Sequence, residues 1–154
     1  MDTKIKFKEK LAFLFVLLLF SSCSAFYKNK KGLKNFKDEF KLQAYCSCVI
    51  SGYDNKNLAS KMVSLDKSFY NPIINSVFSK EIIAIGIEEG KIMKLDSINS
   101  IQKLSEGKSG KNVLKHCLEF YSSKKLDSIA KIKFKEWKNI KNLDSIIQKN
   151  NPAF

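Results

Sequence analysis

From about residue 33 onward, apolar positions recur every third or fourth residue, the spacing that gathers side chains on one face of an α-helix. Phe36, Phe40, Ala44 and Cys48 fall four apart, which predicts a helix from about Leu33 to Tyr53, stopped by Asp54-Asn55. A shorter helix follows near Asn57–Leu65. Ser68-Phe69-Tyr70-Asn71 reads as a turn, and Pro72 suits the first turn of the next helix. That helix, Pro72 to about Glu89, is rich in isoleucine; Gly90 is placed to break or bend it, and Asp96–Leu104 reads as a further short helix. Val113, Cys117 and Phe120 or Tyr121 line one face of a helix starting at Asn112. Ser122-Ser123 can cap a new helix start. Beyond it Leu126, Ile129, Ala130, Phe134, Trp137 and Ile140 form an apolar stripe opposite Lys131, Lys135 and Lys138. No segment alternates as a strand would, so the body reads as all-α, one compact domain of five to seven helices.

The front of the chain follows a different pattern. MDTKIKFKEK is lysine-rich, LAFLFVLLLF is unbroken apolar sequence, and SSC follows. This is the layout of an export signal, and the apolar run is too short for a bilayer span, which takes roughly 20 residues. Phe20-Ser21-Ser22-Cys23 resembles a bacterial lipobox. On that reading residues 1–22 are a cleaved lipoprotein signal peptide, Cys23 carries the acyl chains, residues 23–32 are a lysine-rich tether, and 33–154 is the helical domain. The tether reaches at most about 30 Å from the membrane.

Charge adds one distinction. The net charge is +13, and every basic residue is lysine; arginine is absent. Nucleic-acid readers favour arginine for bidentate contacts, so a nucleic-acid partner is not expected. A lysine-rich solvated surface, or one facing anionic lipid or an acidic partner, remains. Leu-Asp-Ser-Ile recurs at 95–98, 126–129 and 143–146 with uneven spacing; Asp and Ser near helix starts suffice to explain it. Glu106-Gly107-Lys108-Ser109-Gly110-Lys111 has the composition of an exposed loop. Its G-K-S lacks the first glycine and the preceding strand of a phosphate-binding loop.

Export favours disulfides. With Cys23 lipidated, Cys46, Cys48 and Cys117 remain. Cys46 and Cys48 sit about 200° apart on one helix, so both facing the core is not expected. Cys48 lies on the Phe36–Phe40–Ala44 stripe and Cys117 on the apolar face of its own helix, which makes Cys48–Cys117 the economical pair and Cys46 an odd thiol. The pair closes a loop of about 70 residues, which stabilises by roughly 4 kcal/mol in the chain-entropy model. Zinc held by Cys46, Cys48, His116 and Cys117 fits no common ligand spacing. A thiol hydrolase would need His116, the only histidine, to serve Cys46 or Cys48 across the fold. No cofactor or metal is expected.

Two stretches resemble a known family. CLEFYSSKKLD, Cys117–Asp127, is similar to the C-terminal signature of the immunity proteins that neutralise type VI secretion amidase effectors of the fourth class. SCVISGY, Ser47–Tyr53, resembles that family's first-helix cysteine followed by a tyrosine. The resemblance spans about residues 33–132. It implies a helical, non-enzymatic protein, often a homodimer, in the periplasm of a Gram-negative bacterium. Its partner would be a Cys-His amidase that cuts between D-glutamate and diaminopimelate in peptidoglycan, and the immunity protein would occlude that amidase's active site. Partner-facing candidates are the loop Glu106, Gly107, Lys108, Ser109, Gly110 and Lys111, and secondly Glu88 and Glu89. The alternative from another class is an envelope lipoprotein with a structural or adaptor role, binding an unrelated partner through its lysines.

Overall fold

The computed structural model describes residues 32–100 and 111–151. The chain divides into two compact units, Met1–Asn35 and Phe36–Phe154; of the first, only residues 32–35 are described, as helix. The described residues are all-helical and contain no strand. Helix α1 covers residues 32–53. It is followed by α2 (Lys56–Leu65), a 3-10 turn (Lys67–Phe69), α3 (Pro72–Ser100), α4 (Val113–Tyr121), α5 (Lys124–Lys138) and α6 (Leu143–Asn150).

Helix α1 is the centre of the Phe36–Phe154 unit. Its stripe Phe36, Phe40, Ala44 and Cys48 is buried, and so are Gln43, Cys46 and Val49 on its other sides. Cys46 and Cys48 are both buried, but only Cys48 belongs to the hydrophobic core cluster. Their directions do diverge, but α1 is wrapped by neighbours rather than lying on a core. The Cys46 side is covered by the 3-10 turn, whose Ser68 carbonyl accepts from Cys46 Sγ at 3.4 Å and from Gln43 Nε2 at 2.9 Å. Gln43 Oε1 in turn accepts from Asn71 N and Asn75 Nδ2. One buried amide thus satisfies the backbone where α3 begins, as a buried polar group must.

Local chemistry sets the boundaries. Asp54 takes the left-handed conformation (φ 51°) that ends α1, a conformation Asp tolerates better than most residues. Asn55 Oδ1 caps α2 by accepting from Leu58 N at 3.0 Å, and Asn71 Oδ1 does the same for Ile74 N. Ser123 Oγ caps α5 through Leu126 N. Phe36 gathers Phe40, Phe78, Phe134 and Trp137 around it, with ring centroids 4.6–5.9 Å away.

Helix α3 departs from expectation. Gly90 neither breaks nor bends it, and Asp96 continues the same helix to Ser100; residues 101–104 lie outside the described residues. The one non-helical backbone position is Phe78 (φ −117°, ψ 16°). The glycines act in packing instead. An added Cβ at Gly86 would lie 2.7 Å from the carbonyl carbon and oxygen of Ser47, and one at Gly90 3.0 Å from the Ser51 oxygen. Gly86 and Gly90 are four apart on α3, and Ser47 and Ser51 four apart on α1, so two small-residue stripes let the backbones approach closely. Helix α6, preceded by Asn142 at φ 61°, packs on the opening of α3. There Asn150 Nδ2 donates to Ser76 O and Asn151 Nδ2 to Pro72 O.

Candidate functional site

Cys48 and Cys117 are joined in a disulfide with a Cα–Cα distance of 5.8 Å, which ties α1 to α4. Both are fully buried. Cys46 is the free cysteine among the described residues. Burial, with a smaller push from the Asp66 carboxylate, raises its thiol to about 11.

Beside the disulfide, three helices meet in a charged cluster. His116 Nε2 on α4 lies 2.8 Å from Glu89 Oε2 on α3, and Lys125 Nζ on α5 lies 3.0 Å from Glu89 Oε1 and 2.9 Å from Glu88 Oε1. The hydrogen bond to Glu88, then that to Glu89, raises the Lys125 ammonium above its ordinary value. Glu89 is only 4 % exposed, and a carboxylate so placed needs partners on both oxygens. It has them. Glu89 is therefore an internal brace, with its side chain in the helix junction. Glu88 is exposed, its carboxylate shared with Lys125.

His116 engages Glu89, Cys48 is bonded to Cys117, and Cys46 donates to Ser68 O. The thiol–imidazole pair that cysteine hydrolysis requires is thus not assembled among these residues. Among the described residues no group of three His, Cys, Asp or Glu side chains is arranged to hold a metal ion, and no helix is long and apolar enough to cross a membrane. The lipidation candidate Cys23 and the loop candidates Glu106, Gly107, Lys108, Ser109 and Gly110 lie outside the described residues. Lys111 is half-buried, and its Nζ donates to Gly52 O at 3.1 Å at the end of α1. It borders a shallow depression of about 250 Å³ with Ser51, Asp54, Ile87, Gly90, Lys91 and Lys94.

A second ion cluster was not legible as such in the sequence. Asp127 on α5 accepts from Lys41 at 2.7 Å and Lys37 at 3.0 Å, both on α1. These bonds, that from Lys41 first, hold its carboxyl down at about 2. The available signal was Lys37 and Lys41 at i,i+4 on α1, and the position of Asp127 in the first turn after a serine cap. Asp127 closes the CLEFYSSKKLD stretch, and Cys117 opens it. The stretch therefore holds α1 at both its ends, through a covalent bond and an ion cluster. Compared with protein-family models, curated proteins and solved structures, the chain matches none of them.

Proposed function

We propose that this chain is a non-catalytic immunity protein of the cell envelope. In this reading it binds a type VI secreted peptidoglycan amidase, a D-glutamyl-diaminopimelate endopeptidase, and occludes its active site. Acyl chains on Cys23 hold it at the periplasmic membrane surface, where an injected amidase arrives. One observation supports the reading above others. The two stretches that resemble the immunity family, 47–53 and 117–127, are separated by more than sixty residues of sequence yet bonded to each other by Cys48–Cys117.

The test is hydrolysis of a peptidoglycan stem peptide by a class-four amidase from the same genome, with and without the full-length protein. Stoichiometric inhibition is expected; unchanged hydrolysis overturns the reading. A second arm addresses the loop. Bulky replacements at Lys108, Ser109 and Gly110 are expected to weaken amidase binding while the melting temperature stays constant, and unchanged affinity removes the loop from the contact.

A further inference from the structure

Helix α3 sorts its charges by side. At about 100° per residue, Glu81, Glu88, Glu89 and Asp96 fall along one flank. Three of these carboxylates are tied to α4 and α5: Glu81 to Lys133, Glu88 to Lys125, and Glu89 to Lys125 and His116. On the other side, Lys80, Ile83, Ala84, Ile87, Lys91 and Lys94 fall within an arc of roughly 100°, and all six are exposed. No acidic residue of α3 enters that arc. Ile83 and Ile87 are 55 % and 47 % exposed, with a lysine before them and two after. Helix α6 covers the neighbouring part of α3 around Ile73 and Ser76, so the open face begins where α6 leaves off.

We propose that this face of α3 docks on an anionic lipid surface, its lysines among the headgroups and Ile83 and Ile87 at the acyl boundary. The inference rests on the anchored-envelope reading, since lipid on Cys23 supplies the proximity that makes a weak contact effective. The charge favours an anionic surface: three lysines and no acidic residue of α3 share the arc. The face lies on one helical run beyond the Phe78 irregularity, about 20 Å long, and its Ile87, Lys91 and Lys94 end borders the shallow depression described above. Its cations are lysines, mobile point charges that suit a fluid headgroup layer. Lysine stems can also lie along the surface while their ammonium groups stay wet. Each lysine brought to an anionic bilayer shifts the balance by about fivefold, so three give on the order of a hundredfold. That is too little for a free protein to bind durably and enough to orient a tethered one.

Amine footprinting by mass spectrometry tests this on the full-length protein. It is reconstituted in vesicles of phosphatidylcholine, or of phosphatidylcholine with phosphatidylglycerol. Labelling of Lys80, Lys91 and Lys94 is expected to fall by about tenfold in the anionic vesicles and to recover in high salt. Lys56 and Lys61 on α2 should label equally in both. The double variant Lys91→Glu, Lys94→Glu should restore labelling at Lys80. Equal labelling of all three lysines in both vesicles overturns the proposal, and protection that appears only on adding the amidase overturns it in favour of a protein contact. The intact mass reports acylation of Cys23 separately: the acyl mass with equal labelling in both vesicles overturns the docking face and leaves the anchor standing.

Discussion

Gly86→Ala sets helix propensity against packing. Alanine within a helix is favoured over glycine by about 1 kcal/mol, so an open site would gain stability. At Gly86 the new methyl meets the Ser47 carbonyl carbon and oxygen at 2.7 Å, and these are backbone atoms that no rotamer change can move. To bring those contacts out to 3.4 Å, α1 and α3 must part locally by about 0.7 Å. A gap of that size forfeits a quarter to a half of the dispersion energy of each contact it opens. Overpacking of this kind costs about 3 kcal/mol, which leaves a net loss of about 2 kcal/mol and a fall in melting temperature of roughly 8 °C. Gly90→Ala is the internal control. It carries the same propensity gain on the same helix, but its closest contact is 3.0 Å to the Ser51 oxygen, so stability should stay within about 1 kcal/mol of the parent. Urea unfolding with the disulfide intact measures both. A Gly86→Ala variant as stable as Gly90→Ala would refute the close α1–α3 approach.

Removing the disulfide by Cys48→Ala with Cys117→Ala should cost about 4 kcal/mol, because the bond spans 69 residues; a loss under about 1 kcal/mol in urea unfolding would contradict that. Asp127→Asn should cost about 1 kcal/mol at neutral pH, since Asp127 is partly exposed and its ion pairs are screened. Its folded carboxyl is held down at about 2, so the stabilisation is present above the ordinary carboxylate range and is lost as pH falls through about 2. The parent and Asp127→Asn stability curves should converge there, and a gap that persists in acid assigns the loss to something other than the carboxylate charge. Cys46, buried and raised to about 11, should resist a thiol reagent in the native protein and react once on denaturation; rapid native labelling would place it at the surface.

Helical periodicity carried most of the fold. The Phe36–Phe40–Ala44–Cys48 and Val113–Cys117–Phe120 stripes are buried where their spacing placed them. The same face assignment paired Cys48 with Cys117. Two things were illegible for one reason: periodicity describes a helix against a single core, and α1 has neighbours on several sides. Hence Cys46 is covered by a turn that has no periodic signal. Gly90, a helix breaker by propensity, is kept helical by the packing its small size permits. Of the candidate site, Glu88 and Glu89 were adjacent acidic residues of equal standing in the sequence. Only the approach of α4 and α5 separates an internal brace from an exposed side chain.

The burial of Cys46 bears on how the protein acquires its covalent bond. Cys46, Cys48 and Cys117 admit three different single pairings, and nothing local distinguishes the two near neighbours as partners for Cys117 in an unfolded chain. Selection has to come from tertiary packing: α4 must already lie along the Cys48 side of α1 before oxidation yields the right product. Folding therefore precedes and directs the bond. Once the 3-10 turn closes over Cys46, its thiolate becomes scarce and the route of exchange back into the neighbouring disulfide closes with it. The fold thereby acts as a one-way valve for its own oxidation.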